Sequence, residues 1–130
     1  MTPDELGRSP LHYAALDDDA TAIVSLLAAG ADADVADAQG FRPLHFAAQQ
    51  GSLDAARGLL QEGAEVDSAN VFGNTPLFVA VLHCRGRGDL VRLLLDSGAD
   101  RHHSNAAGQT PLGLALLITS HDVAVLFEDG

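Results

Sequence analysis

The chain has neither tryptophan nor lysine, and its 130 residues include one cysteine, one methionine and one tyrosine. A single cysteine, Cys84, excludes an internal disulfide and suits a reducing compartment. No apolar run approaches the roughly 20 residues of a membrane-spanning helix. The first residues do not show the basic and then apolar order of a secretory signal. We therefore expect a cytoplasmic protein that makes no contact with a membrane.

Basic residues are scarce. Eighteen acidic residues stand against seven arginines, which gives a formal net charge of −11. Residues 1–72 carry twelve acids and three arginines, a net charge of −9, whereas residues 73–130 carry six acids and four arginines, a net charge of −2. Such a charge repels nucleic acid and attracts a protein with a basic surface. The absence of lysine beside abundant alanine, glycine, aspartate and arginine also indicates a GC-rich genome, and on composition alone we expect a bacterial origin.

One nine-residue stretch occurs four times along the chain. Its copies begin at Gly7, Gly40, Gly73 and Gly108, which are 33, 33 and 35 residues apart. A Gly-Ala pair at positions 30, 63 and 98 repeats in the same register. Two unrelated markers with one period are typical of a repeat protein.

Each copy predicts the start of a short helix. The glycine permits a positive φ in a tight turn, and the proline three residues later suits the first helical position because it has no N–H to leave unpaired. Ser9, Thr75 and Thr110 precede three of the prolines and can cap the helix with a hydroxyl. Arg42 stands at this position in the second copy, so we expect a looser helix start there.

A second helix in each unit is predicted by apolar spacing, for example over residues 54–61 and 89–96. Both helices of a unit have fewer than about ten residues, too few to be stable alone in water. Neighbouring units must therefore stack to bury their apolar sides.

This pattern resembles the ankyrin repeat. The second unit carries residues at that family's framework positions, namely Asp37, Gly40, Pro43, Leu44, His45, Ala47, Ala48, Gly51, Leu59, Leu60, Gly63 and Ala64. The resemblance implies an all-α fold, an ankyrin-repeat solenoid of stacked helix-turn-helix units with short β-hairpin fingers. It implies one domain over residues 1–130, with repeats at about 4–36, 37–69, 70–104 and 105–130. It also implies that His12 and His45 form hydrogen bonds between turns.

The resemblance further implies a non-catalytic module that binds a partner protein through a concave surface of fingers and first helices. The positions that the framework leaves free flank the signature glycine and follow the first helix. These partner-binding candidates are Ala38, Gln39, Phe41, Gln49 and Gln50 in repeat two, and Val71, Phe72, Asn74, Leu82 and His83 in repeat three. We expect Phe41 and Phe72 to anchor the partner. Alternatively, both rings fold down on neighbouring fingers.

Three further features lead to expectations. The run Asp17-Asp18-Asp19 is expected to cap the second helix rather than bind calcium, which needs six or more oxygen ligands. Two additional residues of repeat three fall within residues 82–88, where they lengthen a loop as a tolerated insertion or as a partner contact. Apolar residues near the end, namely Val123, Val125, Leu126 and Phe127, are unusual for a terminal repeat. Either the chain is truncated or this end meets another molecule.

No catalytic residues, cofactor or metal site are expected, and we expect a monomer. A small acidic inhibitor or immunity-type protein, which neutralises a basic partner such as a toxin, is an alternative within the same class. A remote alternative is a metal-binding or enzymatic protein that uses His83, Cys84, His102 and His103. These residues lack further ligands at a known spacing, and the glycines recur at turns instead of forming a phosphate-binding loop.

Overall fold

The computed structural model describes residues 5–84, 88–118 and 121–127, without the side chains of residues 121 and 122. This part of the chain forms eight α-helices and a final 3-10 helix. They are α1 (Pro10–Leu16), α2 (Ala20–Ala28), α3 (Pro43–Gln50), α4 (Leu53–Gln61), α5 (Pro76–His83), α6 (Asp89–Asp96), α7 (Pro111–Ile118), α8 (His121–Ala124) and the 3-10 helix Val125–Phe127. No helix in the described ranges is long and apolar enough to cross a membrane.

The first helix of every repeat begins at its proline, as predicted. In repeats three and four a threonine caps this helix: Thr75 Oγ1 accepts the N–H of Phe78 at 3.4 Å, and Thr110 Oγ1 accepts that of Gly113 at 3.0 Å. Repeats one and two use a histidine instead. The N–H of Ser9 donates to Nδ1 of His12 at 2.9 Å.

The equivalent bond in repeat two joins the N–H of Arg42 to Nδ1 of His45 at 3.0 Å. In α1 the hydroxyl of Ser9 lies 3.0 Å from Nδ1 of His12, within the capping box that these two residues form. The helix that follows Arg42 has the same proline start and the same imidazole contact as α1, so the missing hydroxyl does not leave this turn without a partner.

Stacking of equivalent helices builds the core. The helices α1, α3, α5 and α7 contact one another in that order, and α2, α4 and α6 form a second row beside them. Leu11, Leu44 and Leu77 occupy the same position in three successive repeats, and all three are fully buried. Short helices gain their stability from this shared core because each repeat alone buries too little apolar surface.

The fingers are hydrogen-bonded turns. The fingers of repeats two to four are each closed by two backbone bonds, in repeat two the 2.8 Å bond from the N–H of Asp37 to the carbonyl of Phe41 and the 3.0 Å bond from the N–H of Gly40 to the carbonyl of Asp37. The Asp37 carboxylate accepts the N–H groups of Gln39 and Phe41, both at 2.9 Å, and so occupies donors that a strand ladder would use. The β-hairpins implied by the resemblance are therefore replaced by turns, and no strand is assigned in the described residues.

Neighbouring fingers touch through their backbones. The N–H of Val71 donates to the carbonyl of Gln39 at 2.9 Å, and the N–H of Ala106 donates to that of Phe72 at 3.0 Å. Gly73, with φ of 75°, is required at this contact because a Cβ there would lie 2.8 Å from the nitrogen of Ala106.

The three aspartates after α1 have different roles. Asp19 Oδ1 accepts the N–H of Ala22 at 3.0 Å and caps α2, as expected. Asp18, which has a positive φ of 52°, instead accepts the N–H of Ala55 at 2.9 Å. Since Ala55 lies in the first turn of α4, Asp18 caps a helix of the next repeat. The expectation that all three residues serve α2 was wrong for Asp18.

The apolar residues at the end of the described chain belong largely to the core. Val123 and Phe127 are buried, and the guanidinium of Arg101 donates to the carbonyl of Phe127. These two side chains therefore pack within the fold and do not form an apolar outer surface. Exposed apolar surface lies instead on the last turn of α7, at Leu116, Leu117 and Ile118. Residues 85–87 of the expected loop insertion lie outside the described residues.

Candidate partner-binding site

Exposed apolar side chains are concentrated on the fingers and the first helices. The large apolar residues exposed in the described ranges are Leu6, Tyr13, Val24, Val71, Phe72, Leu82, Leu116, Leu117 and Ile118. Eight of these nine lie on a finger or a first helix, and only Val24 lies on a second helix. We call the exposed residues of the fingers and of α1, α3, α5 and α7 the inner face.

The third finger presents Val71 and Phe72 to solvent on a fixed backbone. The Phe72 side chain is 50% exposed. Its N–H donates to Oδ1 of Asn70 at 2.9 Å, while its carbonyl accepts from the fourth finger. The backbone that carries the ring is thus held in position at the tip, so binding a ligand there would order little additional backbone.

Phe41 has a different environment from Phe72. Its ring stacks on Phe46 of α3 with centroids 5.6 Å apart and planes at 17°, and it meets the His45 ring edge-on at 5.6 Å. It is half-buried and packs against the core. Phe41 therefore folds down, but onto the first helix of its own repeat and not onto a neighbouring finger as the alternative had it, whereas Phe72 lies with its ring centroid 6.4 Å from that of Phe41 and is half-exposed.

Hydrogen bonds from two buried histidines join the repeats beneath this face. Nε2 of His12 lies 2.8 Å from the carbonyl of Phe41, and Nε2 of His45 lies 2.9 Å from that of Asn74. Since Nδ1 of each ring accepts a backbone N–H, the ring proton is on Nε2, which donates to the next repeat. The two histidines thus form bonds between turns, as the resemblance implied.

Family comparisons agree with this geometry. The family model described as "Ankyrin repeats (3 copies)" matches residues 2–70, which is more than half of the chain. The chain belongs to the ankyrin repeat family. A second model, described as "Ankyrin repeat", matches residues 72–106. A search of curated proteins found no match. Ankyrin repeats are generally protein–protein interaction modules and are typically non-catalytic.

Most of the candidate residues at free ankyrin positions are accessible. Ala38, Gln39, Gln50, Val71, Phe72, Leu82 and His83 are exposed, while Phe41, Gln49 and Asn74 are half-buried. Asn74 is held within the ankyrin framework because its Oδ1 accepts from Asn105 at 2.8 Å and its carbonyl accepts from His45.

Gln49, Gln50 and His83 come together at the ends of α3 and α5. They line a cleft of about 180 Å³ between repeats two and three, which Ala80, Cys84 and the first residues of α6 also line. The structure thus brings three predicted residues into one depression, at the junction between the first and the second helices. The finger residues of the same ankyrin repeats do not line it.

Sequence reasoning missed Leu117 and Ile118. They are the seventh and eighth residues of α7, the positions that Leu82 and His83 occupy in α5. Leu117 is 78% exposed. Extending the register of the free ankyrin positions from repeat three into repeat four would have identified both residues.

The remote alternative of a metal or catalytic site has little geometric support. His83 and Cys84 end α5, whereas His102 and His103 precede the fourth finger, where the N–H of His102 donates to Oδ1 of Asp100 at 2.9 Å. The described part of this ankyrin protein contains no group of three or more histidine, cysteine or acidic side chains that could hold a metal ion.

Proposed function

We propose that this protein is a non-catalytic binding module whose inner face contacts a partner protein. The observation that carries the proposal is the concentration of exposed large apolar side chains, eight of nine, on the fingers and first helices. Clustered exposed apolar residues mark interaction surfaces more often than isolated ones do. Phe72 is the anchor because aromatic residues on a fixed backbone tend to dominate interface energies.

We propose further that the partner has a basic surface. Asp17, Asp18 and Asp19 are exposed at the end of α1, and residues 1–72 have a net charge of −9. A negative field of this kind accelerates association with a positively charged protein and disfavours nucleic acid. The same charge favours the second candidate, an acidic inhibitor or immunity-type protein that neutralises a basic partner such as a toxin. A cytoplasmic monomer of bacterial origin remains our expectation from composition.

Affinity capture with two matched variants tests the proposed face. Phe72→Ser removes the half-exposed ring of the third finger. Val24→Ser removes a 54% exposed apolar side chain from the second-helix row. We expect wild type and Val24→Ser to capture the same partner protein, quantified by mass spectrometry, and Phe72→Ser to capture at least about tenfold less.

The opposite ranking would show that the partner uses the second helices. Equal capture by all three proteins would also contradict the assignment of Phe72 as the anchor. Because both substituted side chains are at least half-exposed, thermal unfolding should establish that the two variants remain folded.

A further inference from the structure

We infer that the partner segment bound on the inner face is bipartite, with bulky apolar residues over repeats three and four and basic residues over repeat one. This inference rests on the proposed function, which it refines by naming the chemistry and the orientation of the bound segment. It depends on how the type of side chain at equivalent inner-face positions changes from one end of the stack to the other.

The eighth position counted from each helix-starting proline shows this change. It is Asp17 after α1, Gln50 in α3, His83 in α5 and Ile118 in α7. All four side chains are exposed. Since the four helices stack in this order, the inner face changes along the row from a carboxylate through an amide and an imidazole to an alkyl group.

Exposed bulky apolar side chains are also most numerous at the end of the stack formed by repeats three and four. Six of the eight exposed apolar residues of the inner face belong to repeats three and four, and none belongs to repeat two. Leu82 and Leu117 occupy one position in the adjacent helices α5 and α7, and we call this pair of exposed leucines the apolar strip. Val71 and Phe72 extend apolar exposure to the finger of repeat three. This end of the face suits bulky apolar side chains.

Repeat one offers a site of different chemistry. Its exposed apolar residues, Leu6 and Tyr13, stand beside acids: Glu5 precedes Leu6, and Asp17 lies one helical turn after Tyr13. The N–H of Asp17 donates to the carbonyl of Tyr13 at 3.0 Å, so the two side chains share one side of α1. An aromatic ring next to a carboxylate suits arginine, whose stem and guanidinium pack on the ring while its charge meets the acid.

Charge complementarity decides the orientation. At the free ankyrin positions, the described residues of repeats three and four are all uncharged. In repeat one the acids Glu5 and Asp17 stand at such positions, and the one base, Arg8, lies 3.7 Å from the Asp37 carboxylate. Basic residues of a bound segment are therefore drawn to repeat one, and its apolar residues to the opposite end. Three interhelical steps of about 8–10 Å separate α1 from α7, roughly 24–30 Å in total. About eight extended residues or about twenty helical residues span that distance.

Selection from a phage-displayed library of random 20-residue peptides tests this inference on the full chain. Parallel selections use Leu82→Glu/Leu117→Glu, which places charge on the apolar strip, and Val24→Glu as a control on the second helices. We expect wild type and Val24→Glu to enrich peptides with bulky apolar residues in one half and arginine or lysine in the other. The affinity of such a peptide should fall at least tenfold for the Leu82→Glu/Leu117→Glu protein.

A shuffled peptide of the same composition, with basic and apolar residues alternating, should bind at least tenfold more weakly than the selected one. Enriched peptides that need the apolar strip but tolerate shuffling would overturn the bipartite inference while leaving the proposed binding face intact. Peptides that bind the Leu82→Glu/Leu117→Glu protein as well as wild type, or no enrichment at all, would overturn both. Circular dichroism of each variant establishes that the fold is retained before affinities are compared.

Discussion

The imidazole of His45 links the turn that starts α3 to the third finger. Its Nδ1 accepts the N–H of Arg42 at 3.0 Å, and its Nε2 donates to the carbonyl of Asn74 at 2.9 Å. Both ring nitrogens are therefore in use, and Nδ1 faces a donor. A second ring proton would point at the Arg42 N–H, so the folded protein holds this histidine neutral.

Stability should fall as the pH is lowered from about 6.5 towards 4. Burial is the main cause that lowers the pKa of His45 from 6.5 to about 4, and the hydrogen bond to Asn74 opposes it. Between pH 6.5 and about 4, His45 is protonated in the unfolded chain but neutral in the folded chain. The free energy of unfolding should therefore decrease with falling pH, by at most about 1.4 kcal/mol per pH unit and on the order of 3 kcal/mol in total.

Urea unfolding at several pH values between 7 and about 4.5 measures how the free energy of unfolding changes with pH. Arg42→Thr/His45→Phe is the matched control because it copies the Thr75 and Phe78 arrangement of repeat three, in which a hydroxyl caps the helix. The variant should lose the part of the pH dependence that His45 contributes. Identical slopes for the two proteins would rule out His45 as the titrating group.

Asp18→Ala should destabilise the protein by about 1 kcal/mol, because the N–H of Ala55 in α4 loses its capping carboxylate. Alanine also tolerates the positive φ of 52° poorly, so Asp18→Gly should cost less than Asp18→Ala. Asp17→Ala is the control, since Asp17 is exposed and its removal should change stability by no more than about 0.5 kcal/mol. Equal urea midpoints for the position 17 and position 18 alanine variants would contradict the bond between repeats.

Phe41→Ser should destabilise the fold by about 1–3 kcal/mol, because the ring stacks on Phe46 and contacts His45. Phe72→Ser should cost less, since half of its ring already lies in solvent. A Phe41→Ser/Phe72→Ser double variant is therefore unsuited to testing partner binding. Thermal unfolding of the two single variants separates these roles, and a larger loss for Phe72→Ser would reverse the assignment of packed and exposed rings.

Charge reversal on repeat one should slow partner association. Glu5→Arg/Asp17→Arg changes two exposed acids of the inner face and leaves Asp18 in its capping position. Association at about 0.05 M salt should slow several-fold, and the difference from wild type should largely vanish near 0.5 M salt because exposed charges are then screened. Stopped-flow or surface plasmon resonance with the captured partner provides the rates.

Glu62→Arg/Asp96→Arg is the matched control for this experiment. Both acids are exposed at the carboxyl ends of second helices, where a positive charge is compatible with the helix dipole. The same number of charges thus changes on the other row of helices. If the control slows association as much as Glu5→Arg/Asp17→Arg does, the net charge rather than the inner face governs the encounter.

Local chemistry explains how much of the fold could be predicted from the sequence. The four glycines that start the repeated stretches have positive φ, and each proline three residues later begins a helix, because both residues act through their own backbone geometry. The stacked all-α solenoid then follows from the repeat period and from the shortness of the helices. Most of the candidate residues at free positions are exposed for the same reason, since the register alone places them.

Only the tertiary structure distinguished residues of the same type. Phe41 follows its glycine and lies over Phe46, whereas Phe72 precedes its glycine and projects from the tip, so contacts between finger and helix decide which ring is buried. Asp17 and Asp18 are adjacent acids, yet it is the Asp18 carboxylate that accepts the N–H of Ala55. That bond depends on how α4, a helix of the next repeat, packs beside the end of α1. The bond from Ala55 to Asp18 joins residues 37 positions apart, and the stacking of Phe41 on Phe46 depends on how the finger folds back over α3, so neither contact can be read from the order of the residues.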